Sequence, residues 1–371
     1  MDFQIPNCKH FTGYKPCHPG ENGETCISPE PRGVKILVIN IGALGAVLMT
    51  TTLLPALKRK FPESTVHWLT ISRATALLHN NPYVDTIHAL SPASLLLLQQ
   101  IKFDLVLNTD KVQEMCALTN VLNAREKRGF GLNEDGVIVP ISDSAEYNYL
   151  MGINNKLKFK ENKRTYPDIL RETCELDHQR DNYVFFFSDD EKAFIKEYRG
   201  GLDLDPGKPV LGINTGSSVL FPNKRLPENH IVKLIDRLYE LNDGQRIVLL
   251  GGLEDTERNK KIARDKEEKV LFTPTNEGLR RGMCYVELCD YVFSGDSLGM
   301  QMAIALGKQV IVYFNVSCEP EIDIFDRGVK IVSVAECSPC WKQECDLGLV
   351  CLEEDITGKM IQAYEDLIKM T

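Results

Sequence analysis

The apolar positions of this chain fall into short continuous runs, separated by stretches with helical spacing. Lys35–Asn40, Thr65–Thr70, Thr86–His88 and Phe103–Asn108 read as strands, and the β-branched run at Lys35–Asn40 suits a strand buried on both faces of a parallel sheet. Between them the pattern predicts helices over Ala46–Phe61, Ala74–Asn80, Ser94–Gln100 and Val112–Leu122. Short pieces open at Gly129–Phe130 and Gly136–Val139, followed by an amphipathic stretch at Ala145–Asn154 and a strand-like Tyr183–Phe187. The rhythm then restarts. Helix Asp189–Tyr198, a Gly/Pro/Asp connector, strand Pro209–Asn214, helix Pro227–Leu241 and strand Arg246–Leu250 lead to helix Thr256–Asp265 and strand Val270–Phe272. Strand Tyr291–Ser294, helix Met300–Leu306, strand Gln309–Phe314 and a closing helix Asp355–Lys369 finish the chain. Strands alternating with helices predict βαβ units and parallel sheets, here two doubly wound α/β domains facing a cleft.

At 371 residues the chain is long for one core. The pattern divides it into a Cys-rich arm (1–33), a first domain (34–188), a second domain (189–336) and a tail with a Cys cluster and closing helix (337–371). A net charge of −9 argues against a general nucleic-acid binder, whose affinity rests on phosphate neutralisation. Neither a signal peptide nor a membrane-spanning run is visible, so the expected location is the cytoplasm. Twelve cysteines in a reducing compartment do not read as a disulfide framework, and their clustering asks for a metal. Cys337-x2-Cys340-x4-Cys345-x5-Cys351 has the four thiols that tetrahedral zinc or iron takes, with Trp341 to shield one side. The alternative is a reduced set of buried thiols. Cys8, Cys17 and Cys26, with His10 and His18 beside the first two, form a weaker set, for which the alternative is a docked arm.

Glycine turns carry the candidate chemistry. Gly42 and Gly45 follow the first strand, where the backbone turns and the first N–H groups of a helix stay open. Three more turns leave the second domain's sheet: Thr215-Gly216-Ser217-Ser218, Gly251-Gly252, and Asp296-Ser297-Leu298-Gly299. The last suits a pyrophosphate at a helix N-terminus, or else it is a helix cap. Lys224-Arg225 follows the first of these turns and would neutralise a diphosphate leaving group, or is a solvated helix start. Glu254 is placed to hold a ribose hydroxyl. Asp110, at the end of Phe103–Asn108, is either a proton acceptor or a helix cap.

Taken in order, these residues resemble the bacterial ADP-heptose:lipopolysaccharide heptosyltransferases, glycosyltransferase family 9. The family's first turn reads G-A-x-G-D-V, then T-T-x-L-L-P-A-L; here stand Gly42-Ala43-Leu44-Gly45-Ala46-Val47 and Thr51 to Leu57. Its N-x-G…K-R-L-P, L-G-G-x-E and G-D-S-x-x-x-H-x-A-x-A-L-G series match Asn214 and Gly216, Lys224 to Pro227, Leu250 to Glu254, and Gly295 to Gly307. The C-x-P-C-x4-C segment is also similar to family members, and a related branch that modifies autotransporter proteins holds iron on cysteines.

The resemblance implies two Rossmann-like domains in the GT-B arrangement, with an ADP-sugar donor held mainly by the second. It also implies inverting transfer without a catalytic metal, to a glycan, glycolipid or protein acceptor. Lys224, Ser297 and the helix start at Leu298–Gly299 would stabilise the diphosphate, lined by Thr215 and Gly216, with Gly42, Ala43 and Gly45 on the acceptor side. Three positions depart from the pattern. Ala46 stands where the family has its catalytic aspartate, Gln301 where it has a histidine, and Phe314-Asn315 where it has F-G. The chain is therefore read either as an active transferase with Asp110 as base, or as an impaired or silent sugar-nucleotide binder. From a different class comes a metal-dependent regulatory or assembly protein. A basic patch such as Lys58-Arg59-Lys60 would allow peripheral contact with the inner membrane.

Overall fold

The computed structural model describes residues 5–16, 29–202 and 204–370, with two six-stranded sheets. The first contains β1 (Lys35–Ile39), β2 (Thr65–Thr70), β3 (Thr86–Ala89), β4 (Phe103–Asn108), β5 (Ala124–Leu132) and β6 (Ile138–Pro140), in the order β3-β2-β1-β4-β5-β6. All its neighbours are parallel except β5 and β6, which pair antiparallel with Phe130 opposite Pro140. The second contains β7 (Leu211–Asn214), β8 (Ile247–Leu250), β9 (Val270–Phe272), β10 (Tyr291–Gly295), β11 (Gln309–Phe314) and β12 (Gly328–Val332), in the order β12-β11-β10-β7-β8-β9 and parallel throughout. Each sheet starts in its middle and winds outward both ways. The order reverses between β1 and β4 and again between β7 and β10, and ligands of open α/β sheets sit at the carboxyl ends beside such a reversal.

Helices cover the sheets: α1 (Leu44–Thr50), α2 (Leu53–Lys60), α3 (Pro92–Gln100), α4 (Gln113–Val121), α5 (Glu146–Ile153) and α6 (Tyr166–Thr173). They continue with α7 (Asp189–Gly201), α8 (Glu228–Leu241), α9 (Thr256–Asp265), α10 (Leu279–Glu287), α11 (Leu298–Ala305) and α12 (Ile356–Met370). Starts are set by local chemistry. Ser91 accepts from Ser94 N at 3.2 Å to begin α3, and Ser188 with Glu191 forms a reciprocal capping box for α7. The closing helix completes the second core, where Ile356, Met360 and Tyr364 pack with Ile231 and Ile235 of α8 and with Phe293 of β10.

Contacts gather the chain into two units. The first takes residues up to Gly42, Leu53–Leu150 and Ile169–Asp181; the second takes Ala43–Thr52, Met151–Asp168 and everything from Asn182 onward. The helix expected over Ala46–Phe61 is two helices, because the chain breaks at Thr51-Thr52. Thr51 Oγ1 donates to Leu48 O at 2.5 Å and accepts from Val184 N at 2.9 Å, local bonds that compete with the helical ladder. The break gives α1 to the second unit and α2 to the first. Tyr183–Phe187 forms no strand; Phe185 packs on Phe187 at 5.0 Å and Tyr183 on Phe325 at 5.6 Å. α6, α10 and β12 have no counterpart in the sequence reading.

The described part of the N-terminal arm docks on the first unit. Lys9 bridges Glu30 at 2.7 Å and Asp85 at 2.9 Å, and Cys8 is buried. Cys17 and Cys26 lie outside the described residues. No helix among the described residues is long and apolar enough to cross a membrane.

Gly129 lies in the buried half of β5 at φ +95°, where an added Cβ would stand 1.9 Å from Asn108 O at the end of β4. Gly129→Ala is expected to destabilise the first unit by about 1–3 kcal/mol, read as a lower urea midpoint. An unchanged midpoint would contradict the close approach.

Candidate functional site

In the second unit, β7 ends at Asn214 and β10 at Gly295, on either side of the strand reversal. Asn214 Nδ2 lies 3.1 Å from Ser294 Oγ, 2.9 Å from Ser297 Oγ and 3.0 Å from Gly216 O, tying three loops together. Ser297 in turn caps α11 by accepting from Met300 N at 3.3 Å. The N–H groups of Leu298 and Gly299 open that helix, where no acceptor exists within the helix itself. Gly299 is required by packing: a Cβ there would stand 2.4 Å from Asn214 Cγ.

Lys224 reaches the same place. A Cβ on Gly295 would meet Lys224 O at 2.1 Å, so the Lys224 loop lies directly against the strand end. Lys224 Nζ pairs with Asp296 Oδ2 at 2.7 Å, both side chains largely buried, and the Ser317 hydroxyl donates to the same oxygen. Ser217, on the second turn, donates to Phe221 O at 3.3 Å.

The Gly251-Gly252 turn is organised by Asp255 rather than by its exposed neighbour Glu254. Asp255 is buried and accepts from Gly252 N at 2.9 Å, and a Cβ on Gly216 would meet its Oδ2 at 2.2 Å. Arg258 pairs with Asp255 at 3.0 Å and donates to Thr215 O, while Thr215 Oγ1 lies 2.5 Å from Asn259 Oδ1. Burial holds the Arg258 guanidinium below the usual arginine range. The sequence reading named Thr215, Gly216, Gly251 and Gly252 but missed Asp255, Arg258 and Asn259. Their signal was helical spacing, three and four residues on from Asp255 along α9.

The first unit's reversal is built differently. Asp110, buried, accepts from Ile41 N at 2.6 Å and from the backbone N–H groups of Gly42, Lys111 and Val112. Burial raises its pKa above the usual carboxylate value, opposed by those four donors. Ala43 is the uncapped N-cap of α1. Gly45 and Ala46 follow on that helix, which packs with α11 of the second unit. A Cβ on Gly45 would come 3.2 Å from Gln301 Cγ, and Gln301 is buried with its Oε1 lacking a hydrogen-bond partner. Ala46 is half-buried, and its carbonyl accepts from Thr50 Oγ1 at 2.8 Å.

The late cysteines do not form a ligand shell as placed. Among the described residues, no group of three or more His, Cys, Asp or Glu side chains is arranged to hold a metal ion. Cys337 and Cys340 are half-buried, Cys345 is exposed, and Cys351 is buried beside Asn315 Nδ2 at 3.4 Å. Burial pushes the Cys351 thiol up, Asn315 opposes this, and the charges of Cys337, Cys340 and Cys345 each raise it further.

A family model for glycosyltransferase family 9 (heptosyltransferase) matches residues 97–350, well over half the chain. Lipopolysaccharide heptosyltransferase 1 of Campylobacter coli is 20% identical over 307 residues, covering 76% of this chain and 84% of that protein. Among solved structures, the family 9 glycosyl transferase of Veillonella parvula DSM 2008 matches with a TM-score of 0.68 at 17% identity, over 91% of this chain and 98% of that one. The ADP-heptose LPS heptosyltransferase II of E. coli matches with a TM-score of 0.62 at 16% identity, over 90% of this chain and all of that one (100%). The two α/β units are thus the fold of these structures.

Gly299→Ala is expected to displace Asn214 and cost the second unit about 1–3 kcal/mol in unmet hydrogen bonds, seen as a lower urea midpoint. Gly282→Ala, inside α10 where a Cβ would meet nothing within 4 Å, is the comparison that carries the helix-propensity gain without a clash. Equal midpoints for the two variants would remove Asn214 from its role.

Proposed function

The chain belongs to glycosyltransferase family 9, the heptosyltransferases, and on that premise we propose that it transfers a heptose-type sugar from an ADP-sugar to an acceptor hydroxyl with inversion. The observation that carries this reading is the β7–β10 reversal, where Lys224–Asp296 and the Ser297-capped start of α11 meet at one point. In the proposed reaction the acceptor oxygen bonds to the anomeric carbon as that carbon's bond to the diphosphate oxygen breaks. The acceptor proton passes to a carboxylate, and ADP departs with the bonding electrons. Lys224, Ser297 and the N–H groups of Leu298 and Gly299 meet the growing negative charge. Thr215, Gly216, Ser217, Gly251 and Gly252 line the nucleotide, and exposed Glu254 takes a ribose hydroxyl. Gln301 offers its unpartnered buried oxygen to a ligand hydroxyl. Gly42, Ala43 and Gly45 belong to the acceptor side, and the acceptor is a glycan, glycolipid or protein, with lipopolysaccharide favoured by the relatives' names.

Asp110 is the proposed proton acceptor: it lies at the carboxyl end of β4, and burial raises its pKa in the direction a base working near neutral pH needs. Two observations favour a second reading, a chain that binds the sugar nucleotide without turning it over. Ala46 offers only a methyl group, and the oxygens of Asp110 already accept from four backbone donors. The reaction is placed in the cytoplasm, with the acceptor at the inner membrane surface. A structural iron or zinc on Cys337, Cys340, Cys345 and Cys351 is a separate proposal, supported by the C-x2-C-x4-C-x5-C spacing of four thiols, and no step is routed through it.

With ADP-heptose as donor, Asp110→Asn is expected to lower kcat by about 10²–10⁴-fold while calorimetric ADP affinity stays unchanged. Turnover found only after Ala46→Asp would establish the silent reading instead. Purified protein is expected to hold about one metal ion per chain, by the four-thiol stoichiometry of tetrahedral sites, and to lose it in Cys337→Ser; metal-free protein with intact thiols would reject the metal site.

A further inference from the structure

Lys158 stands on a single π-type turn, Leu157–Glu161, in a segment that packs with the second unit. Its ammonium lies over the indole of Trp341, 4.5 Å from the ring centroid, and Lys224 lies over the same ring at 4.6 Å. Phe221, from the Lys224 loop, leans on that ring at 5.2 Å. The backbone holds the indole in place. Trp341 N donates to Val316 O at 2.9 Å, the Ser338 hydroxyl donates to Asn315 O at 2.6 Å, and Asn223 Nδ2 donates to Gln343 O at 3.4 Å. The Trp341 segment and the Lys224 loop are therefore fastened to each other.

The two ammonium groups on this ring are paired unequally. Lys224 is matched by Asp296 at 2.7 Å. The carboxylate oxygen facing Lys158, Glu321 Oε1, is 4.0 Å away, too far for a hydrogen bond, and has no hydrogen-bond partner. Burial raises the Glu321 pKa above the usual carboxylate value, and at 4.0 Å the pair has Coulombic attraction without a hydrogen bond. An aromatic face attracts a cation but does not cancel its charge. Two ammonium groups share one ring, and only Lys224 has a carboxylate within hydrogen-bond distance, which leaves the Lys158 donors open to an anion.

We propose that Lys158 and Trp341 complete, with Lys224, a diphosphate subsite in which Lys158 supplies an ammonium group not hydrogen-bonded to any carboxylate and Trp341 parks both ammonium groups until the ligand arrives. The inference rests on the donor reading above and deepens it. Lys224 is already hydrogen-bonded to Asp296 and Gln301 carries no charge, whereas the Lys158 ammonium has no carboxylate within hydrogen-bond distance. On binding, the ammonium groups leave the ring for phosphate oxygens and form charge-assisted hydrogen bonds.

The chain's two tryptophans make this measurable. Trp68 is fully buried in the first unit, whereas Trp341 is 40% exposed. ADP is expected to change the tryptophan emission, adenosine to leave it unchanged, and Trp341→Phe to abolish the ADP response. By calorimetry, Lys158→Met should weaken ADP by about ten- to a hundredfold, with Lys158→Arg restoring most of it. Lys160→Met, exposed on the same turn, should bind ADP like the parent, and the melting temperature of each variant checks that it folds. A parent chain that does not bind ADP would overturn the donor reading together with this one. A parent that binds ADP, with Lys158→Met binding equally tightly, would overturn only the Lys158–Trp341 subsite.

Discussion

One buried amide holds the second unit's binding end together. Asn214 sits at the end of the sheet's first strand and reaches the end of its fourth, the cap of α11 and the glycine turn that follows β7. These are the three pieces of backbone that a diphosphate at this reversal would touch. The amide has room because Gly299 carries no side chain, and the Lys224 loop approaches because Gly295 carries none. A buried polar group left without its partners costs far more than one satisfied bond contributes. The same amide that orders the loops therefore also fixes the glycines around it.

The first unit repeats this device and then diverges from it. Asn40, after β1, donates to Thr109 Oγ1 at 3.0 Å, just as Asn214 reaches Ser294 across the equivalent pair of strands. Where the second unit leaves the start of α11 open, however, the first fills its turn with a carboxylate of its own. Asp110 takes the N–H groups of Ile41 and Gly42 that a ligand anion would otherwise find. Two sheets with the same strand order thus have different electrostatic ends. In the proposed reaction the donor's diphosphate is assigned to the second end and the neutral hydroxyl acceptor to the first.

Much of this was legible in the sequence, because parallel-sheet strands announce themselves as unbroken apolar runs and the glycine turns lie at their ends. What escaped detection depended on tertiary contacts. α10 carries Gly282 within it, which weakens a helical pattern, and β12 is a half-buried edge strand without the continuous apolar run of its neighbours. The Thr51-Thr52 break and the transfer of α1 to the second unit follow from bonds to Val184, far along the chain. The acidic residue after Gly251-Gly252 was read as Glu254. Beside it stands buried Asp255, which holds the turn itself, a structural role that only the start of α9 reveals. Lys158 carried no motif at all, and its place beside Trp341 comes from packing alone.

The central claim is that the diphosphate of the donor sits at the β7–β10 reversal. A crystal structure of the chain with ADP tests it most directly. The account predicts phosphate oxygens within hydrogen-bond distance of Lys224 Nζ and of the N–H groups of Leu298 or Gly299. A diphosphate bound instead at the Gly42–Ala46 turn, or elsewhere on the chain, would contradict it.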